Sequence, residues 1–511
     1  MPRTVTDHFS QVPTDGWVTV FAGMAVNLCL GILYAWSMWG AALVSETTLH
    51  AGDAIRDAQV IPVSRVTDSD RANPEVLIVK ARPQNLGAEP LKVKFGEEQK
   101  EGYLLFHELV QRNVSLQAGD IITKAGEPME GLNAGWKYLN NREAAMPFSL
   151  CVILFSLLMI PGGRIQDRIS PKFGATLGGL LLAVGCILAG MLKSYTGLIV
   201  GIGICGGIGM GIGYASSTPA ALKWFGLKRR GLIVGLVVGG YGGAALYVGP
   251  LAAYLMEHYG ISASLICLGL LFAAVVICAG QLLRNPPEGY QPPEASRWGW
   301  VENTASRRDW RPGDMVKTWQ YYLLVILFAL TTQSGLLVIA FASNILLEAE
   351  PGGYLAANSW VIVSFGGIMN VLGRIGTGIY SDGIGRLNTS GLNCAVAAVC
   401  LFALPYILSS KNGFLLFAAL GIAYWQYGGG LTLMPSIAAD FYGQKNLGVN
   451  YGLIFPGWGL GFFMAQLGGV IKDLTGSLNL AFYLSGGLLI AAVLVAKTIV
   501  RPIAGSELED V

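Results

Sequence analysis

Twelve apolar runs dominate this chain, each long enough to cross the roughly 30 Å of hydrocarbon in a bilayer. They fall at about 17–44, 146–163, 174–192, 197–222, 231–256, 261–283, 319–345, 357–380, 391–409, 413–438, 447–470 and 478–499. A backbone inside lipid must pair its own N–H and C=O groups, which leaves only helices or a closed barrel. The runs are continuous rather than alternating, so the chain is expected to be an all-α polytopic membrane protein. Only 13% of its 511 residues are charged, against about a quarter in soluble domains. The first run exceeds the apolar core of a signal peptide and lacks an Ala-x-Ala exit, so it is expected to stay as the first helix.

Basic residues set the orientation. Outside residues 46–145 there are 22 Lys and Arg: Arg374 within a run, 18 on the side of the N-terminus and the even-to-odd loops, and only Lys193, Lys411 and Lys472 opposite. The clusters Arg164/Arg168/Lys172, Lys228/Arg229/Arg230 and Arg307/Arg308/Arg311 are therefore expected in the cytoplasm, with both termini, in a multi-pass protein of the cytoplasmic (inner) membrane. Read as topology markers in a chain of net charge +2, they offer no case for nucleic acid. Eight cysteines (29, 151, 186, 205, 267, 278, 394, 400) all fall in apolar runs without a CxxC pair. They imply neither a disulfide framework nor a zinc site and read as small core residues. No cofactor site, metal-ligand set or catalytic nucleophile is visible, and the runs hold no His/Asp/Glu cluster, so the chain is not read as an enzyme.

Residues 46–145 differ in kind. With 15 acidic and 12 basic residues they carry a formal charge of −3, and the topology puts them outside. Strand-like runs at Glu75-Val-Leu-Ile-Val-Lys80 and Pro90-Leu-Lys-Val-Lys-Phe95 are punctuated by Gly and Pro, and a short helix is suggested near Leu104–Arg112. Two readings stand: a small β-rich extracytoplasmic module grafted on a loop, where insertion is cheap, or a disordered stretch.

The remainder repeats itself. Gly163-Arg-Ile-Gln-Asp167 is matched by Gly378-Ile-Tyr-Ser-Asp382 at an offset of 215. Pro219 and Phe225-Gly226 find Pro435 and Tyr442-Gly443 at 216 and 217, and Gly231-x3-Gly235-Leu236 finds Gly448-x3-Gly452-Leu453 at 217. Three separated landmarks at a near-constant offset imply two parallel six-helix halves. The expected division is an N-terminal bundle, 1–283, interrupted by 46–145, then a cytoplasmic linker, 284–318, and a C-terminal bundle, 319–511. Paired halves rocking around a midplane site are the transporter solution. A channel is disfavoured because no charged or carbonyl-rich filter motif appears.

Arg374 stands almost alone as a charge deep within a run. A buried arginine there costs about 2.5–3.5 kcal/mol by insertion scales, so it marks a functional site whose partner is an acidic side chain or a bound anion. The first acidic residue along its own segment is Asp382, about 12 Å away along the helix axis. The alternative is that Arg374 snorkels to the headgroups. Glycine series at Gly201, Gly203, Gly206, Gly207, Gly209, Gly211 and Gly213, and at Gly235, Gly239, Gly240, Gly242 and Gly243, permit close helix approach.

The loop Gly163-Arg-Ile-Gln-Asp167-Arg-Ile-Ser-Pro-Lys172-Phe-Gly174 resembles the cytoplasmic signature of the major facilitator superfamily. More narrowly, the chain resembles the oxalate/formate antiporter family and related bacterial monocarboxylate transporters. The resemblance rests on Gly31-Ile-Leu-Tyr34-Ala-Trp36-Ser37, Gly211-Ile-Gly-Tyr214, Lys223-Trp224-Phe225, and Arg229-Arg230-Gly231-Leu-Ile-Val-Gly235. Arg284-Asn285-Pro286-Pro287-Glu-Gly289-Tyr290 and Asp440-Phe-Tyr-Gly443-Gln-Lys445-Asn446-Leu-Gly448-Val-Asn450-Tyr451-Gly452 extend it. It implies a major facilitator fold of twelve transmembrane helices in two pseudo-symmetric bundles, with the insertion outside.

The resemblance also implies a site. An arginine placed eight residues before the loop aspartate contacts the substrate carboxylate in that family, the spacing that Arg374 and Asp382 keep here, and Asn370 lies one turn from Arg374 on the same face. Tyr34 and Asn370 are candidate neutral donors, and Trp36, Tyr424, Trp425, Tyr427 and Trp458 candidate walls. The oxalate transporter carries a lysine where this chain has Trp458. A single arginine leaves the second charge of a dicarboxylate unpaired at a cost of several kcal/mol, which argues for lactate, pyruvate, formate or acetate over oxalate. Asp167, Arg168, Asp382 and Arg386 are read as gating residues that cap a neighbouring helix or pair with arginines when the cytoplasmic side is closed.

The expected function is secondary active transport of a small carboxylate by alternating access, with a co-transported proton or a counter-anion as possible second partner and the bilayer as solvent. One chain suffices, so a monomer is expected to function. The alternatives are an oxalate/formate-type anion exchanger and a transporter-like carboxylate sensor that uses residues 46–145 for recognition.

Overall fold

The computed structural model describes residues 13–44, 47–48, 53–56, 59–62, 76–78, 91–95, 100–104, 121–123, 126–226, 230–287, 289–290, 309–349, 360–475 and 477–502. Lys228, Arg229, Arg307, Arg308 and residues 105–112 of the suggested helix lie outside them. The chain forms two compact units.

The larger unit, Met1–Met38, Pro147–Leu192 and Gly197–Val511, is helical in its described part. Its spans are one, Thr14–Gly40, which continues into the second unit, two, Met146–Arg168, three, Pro171–Leu192, and four, Tyr195–Leu222. A fifty-residue helix, Gly231–Gly280, follows, and then seven, Trp319–Ala342, eight, Val361–Ile384, nine, Arg386–Ser410, ten, Gly413–Tyr442, eleven, Leu447–Ile471, and twelve, Asn479–Thr498. The fifty-residue helix breaks at Gly260, whose φ of 84° is one that glycine adopts freely, and so supplies spans five and six. Among the described residues these eleven helices are long and apolar enough to cross a membrane, and with the break at Gly260 they supply twelve crossings, in two sets of six related by the repeat.

Helix outruns hydropathy at the charged ends. Span two is helical through Asp167 and Arg168, and span nine begins at Arg386. A helix needs only its backbone ladder, so it continues past the point where apolar residues give way to charged ones. The assignment of all eight cysteines to the core needs correction: Cys29, Cys151, Cys186 and Cys394 are buried, but Cys267 and Cys278 are exposed. In a bilayer the outward helix faces are as apolar as the interior, so residue type does not separate them.

Glycines set the seams between halves, where helices without a hydrophobic drive must approach closely to gain packing. A Cβ at Gly163 in span two would run into the backbone of Gly448 in span eleven, and one at Gly378 in span eight into that of Gly231 in span five. One turn on, a Cβ at Gly452 would meet the carbonyl of Met159 at 2.6 Å, and one at Gly235 the carbonyl of Arg374 at 2.7 Å. Each seam reproduces the other under the repeat offset.

The smaller unit is Trp39–Met146 with Lys193–Thr196, wider than the 46–145 read from composition. Its described residues hold seven strands: β1 Thr47–Thr48, β2 Asp53–Arg56, β3 Gln59–Pro62, β4 Val76–Ile78, β5 Leu91–Phe95, β6 Lys100–Leu104 and β7 Ile121–Thr123. They form a four-stranded sheet of order β1-β7-β5-β6 and a three-stranded sheet of order β3-β2-β4, with antiparallel pairing throughout. Within the two strand-like runs seen in the sequence, Val76–Ile78 and Leu91–Phe95 are strands, and Leu104, where the sequence suggests the start of a helix, ends β6. The stretch 126–139 folds back on itself through Gly126 N to Tyr138 O and Met129 N to Trp136 O, and Trp136 is buried. Lys193 donates to the Ala134 carbonyl at 3.2 Å, which attaches 193–196 to this unit.

Candidate functional site

Arg374 is fully buried, 0% exposed, and its guanidinium does not snorkel to the surface. It sits on span eight and donates across to the first half: Nη1 to the Val238 carbonyl of span five at 2.6 Å, and Nη2 to the Tyr34 hydroxyl of span one at 3.1 Å. Its Nε donates to Asn370 Oδ1 at 2.9 Å, one turn away on the same helix. All three acceptors are neutral, and among the described residues no carboxylate pairs with it. The spacing that puts Asn370 beside Arg374 is the i,i+4 neighbour relation of a helix.

Local sequence makes room for this charge. Span one gives way to a 3-10 turn over Gly31–Ala35. A Cβ at Gly31 would collide with the Tyr241 carbonyl, so the close approach needs glycine there. The turn delivers Tyr34 between the halves. In span five, a Cβ at Gly242 would lie 3.0 Å from Arg374 Nε and 3.2 Å from Asn370.

Tyr34 continues the chain of hydrogen bonds. Its hydroxyl pairs with that of Tyr427 on span ten at 2.9 Å, and Trp458 Nε1 on span eleven donates to Tyr427 at 3.1 Å. Arg374, Asn370, Tyr34, Tyr427 and Trp458 are thus brought into one cluster. Tyr424 is not joined to it by these bonds: it is buried against Gly366, whose Cβ its ring would block. Trp36 is buried just past the 3-10 turn. Trp425 donates to Tyr380 at 3.4 Å, within a ring of hydrogen bonds formed by Tyr380, Asn393 and Thr377 inside the second half.

Several members of the cluster were missed by sequence reasoning. Tyr241 packs edge-on against Tyr34 and against Tyr214, both at 5.3 Å, and Tyr451 edge-on against Phe455 at 5.6 Å. The hydroxyls of Tyr214 and Tyr451 lie near one another and near Arg374, yet neither makes a hydrogen bond of normal geometry, although the two residues are only 2% and 1% exposed. Buried hydroxyls usually find partners. Phe155 packs 5.5 Å from Tyr214, 5.1 Å from Phe455 and 5.2 Å from Trp458, which closes an aromatic wall across both halves. The one sequence signal was that Tyr214 and Tyr451 each lie beside a helix-packing glycine, Gly213 and Gly452.

The predicted gating residues occupy the end where spans two and eight finish. Asp167 accepts from the Val449 amide of span eleven at 3.1 Å and pairs with Lys223 at 3.6 Å, a lysine rather than an arginine. Burial holds the Lys223 ammonium below its ordinary pKa, against the pull of Asp167. Asp382 accepts from the Gly231 amide of span five at 3.1 Å and pairs with Arg386, which also meets Asp440 at 3.3 Å. Both carboxylates therefore cross from one half to the first turn of a helix in the other, where the macrodipole favours negative charge. Arg168 is exposed and joins none of these contacts.

A lone guanidinium with neutral acceptors, spare donors on its fork, unpartnered hydroxyls beside it and an aromatic wall around it suits a small planar anion. The sequence profile described as Major Facilitator Superfamily matches residues 129–466, more than half of the chain. The oxalate:formate antiporter of Oxalobacter formigenes is 28% identical over 294 residues, covering 58% of this chain and 67% of that protein. Monocarboxylate transporter 13 of Bos taurus is 24% identical over 337 residues, covering 65% and 74%. Among solved structures, FucP of E. coli in its outward conformation aligns with a TM-score of 0.51 at 16% identity, over 72% of this chain and 91% of that one. With twelve crossings in two related halves and this match, the chain belongs to the Major Facilitator Superfamily and is a multi-pass membrane transporter.

Proposed function

We propose that this protein is a secondary active transporter of a small organic anion, a monocarboxylate such as lactate, pyruvate, formate or acetate, moved by alternating access between its halves. The observation that carries the reading is Arg374: a fully buried cation that bridges the halves on neutral acceptors alone. A buried charge without a counter-charge costs several kcal/mol, which one carboxylate offsets. Trp458, buried and bonded to Tyr427, offers no second cation for a dicarboxylate. The names of the relatives, an oxalate:formate antiporter and a monocarboxylate transporter, point to the same class of cargo. We read residues 1–283 and 319–511 as the moving halves, 284–318 as the cytoplasmic linker, and 46–145 as the insertion, outside an inner membrane with both termini in the cytoplasm. Asp167 and Asp382, with Lys223, Arg386 and Asp440, act as the latches of the cytoplasmic gate.

The test is a competition panel in proteoliposomes, in which labelled lactate, formate and oxalate are followed with and without a pH gradient and with counter-anion inside. Uptake of a monocarboxylate, abolished in Arg374→Ala while the protein still assembles, is expected. Undiminished uptake by that variant would reject the site, and ligand binding without flux under any gradient would favour a sensor.

A further inference from the structure

We infer that the segment joining the two halves braces the Asp167 latch from both of its described ends, so that its residues position the contact without touching cargo. At the first end, Trp224 is 3% exposed and donates its indole N–H to the Arg284 carbonyl at 2.9 Å. Tyr290 returns a hydroxyl to the Trp224 carbonyl at 3.2 Å, and its ring packs on the indole at 5.3 Å. Trp224 is the neighbour of Lys223, the ion-pair partner of Asp167. Asn285 accepts from Gln166, the residue beside Asp167, at 3.4 Å.

At the other end, Asp309 Oδ1 accepts from the amides of Gln444 and Lys445 at 2.9 and 3.0 Å. The Trp310 amide donates to the Tyr442 carbonyl at 3.0 Å, and the Trp310 carbonyl accepts from Asn446 at 3.0 Å and from Asn450 at 3.2 Å. Asn450 is the neighbour of Val449, whose amide Asp167 caps. The two loops gripped, at Trp224 and at Tyr442–Lys445, correspond to each other in the repeat. Both grips lead to Asp167: one through Lys223 and Gln166, the other through Val449. The Asp382 latch is made instead by Gly231, Arg386 and Asp440. Two similar latches thus differ in what holds them: both grips end beside partners of Asp167, whereas only the second, at Tyr442, lies near the Asp382 latch, two residues from Asp440, so a pull on the joining segment acts chiefly on the Asp167 latch. That this biases transport rests on the alternating-access reading above; the brace itself does not.

Amide hydrogen exchange on the full-length protein in lipid nanodiscs, with no substrate present, tests it. Asp309→Ala with Tyr290→Phe is expected to speed exchange in 447–454 about tenfold, since charged hydrogen bonds are lost, and to change 231–238 far less. Asp167→Asn is expected to give the same rise, with no further rise when the two changes are combined, because they act through one contact. Unchanged protection at 447–454, an equal rise in both segments, or additive effects would each overturn the brace. Should Asp309→Ala fail to fold, Tyr290→Phe alone, which deletes a single neutral hydrogen bond, is expected to give a smaller rise of about threefold with the same selectivity, and its absence would overturn the brace equally. Carboxylate uptake by the parent protein is read separately: its absence would sink the transport reading and leave the exchange result standing.

Discussion

Arg374 of the second half and Tyr34 of the first are joined by a 3.1 Å hydrogen bond between Nη2 and the phenol, and the Tyr34 hydroxyl is shared with Tyr427 at 2.9 Å. Any separation of the halves at this level must break or re-route that chain. A carboxylate bound at the guanidinium, as proposed above, would compete for the same donors and so tie occupancy to the packing between the halves.

Replacing Arg374 by lysine tests geometry apart from charge. The ammonium is a point charge without the planar fork. Uptake of a monocarboxylate is expected to fall about tenfold or more, through loss of a bidentate contact, with protein yield and thermal midpoint near those of the parent. Equal transport by Arg374→Lys would show that charge alone suffices.

Tyr214→Phe and Tyr451→Phe remove hydroxyls that make no normal hydrogen bond within the protein. Stability is expected to hold or rise, because an unsatisfied buried polar group is a cost. If the hydroxyls serve the cargo, KM should rise roughly five- to tenfold, equivalent to about 1 kcal/mol per lost bond. A thermal midpoint that drops while KM stays constant would assign them to folding.

Trp458→Lys introduces a second cation beside Tyr427. The variant is expected to be less stable without ligand by a few kcal/mol, as an unpaired buried charge must be. Oxalate should then raise its thermal midpoint more than formate does, the reverse of the order in the parent protein. The same order in both would remove Trp458 from the choice between one and two carboxylates.

Gly163→Ala places a Cβ against the Gly448 backbone, and Gly378→Ala does the same to Gly231. Overpacking of this kind costs about 1–3 kcal/mol. Both variants should lower the thermal midpoint and speed amide exchange at the helix starts of spans eleven and five, respectively. Wild-type behaviour in both would mean that the seams give way easily.

The helical crossings and the buried arginine were legible because hydropathy and an isolated charge are properties of single residues in their own segments. The strands around Val76–Ile78 and Leu91–Phe95 were legible for a similar reason, since local pattern carries them. What the arginine leans on was not. Val238 contributes a backbone carbonyl, a group that every residue has, and only the approach of span eight to span five selects it. Tyr214, Tyr241, Tyr451, Phe155 and Phe455 come from four spans, and in a chain so rich in apolar residues an aromatic that faces a partner half looks the same as one that packs within its own. Tyr424 illustrates the converse: placed at the site by its neighbours in sequence, it packs on Gly366 instead. The wider edges of the smaller unit escaped because span one passes into it without a change in hydropathy.

The duplicated seams differ in one respect. Met159, fully buried, stands at the repeat position of Arg374, and each faces its glycine, Gly452 or Gly235, in the same way. The backbone keeps the twofold relation of the halves while the electrostatics break it. On the transport reading proposed above, an anion held at Arg374 would keep a single host bundle throughout the cycle. Among the described residues, the opposite bundle meets the guanidinium through the Tyr34 phenol and the Val238 carbonyl, neutral attachments that each stroke of such a cycle would have to break and remake.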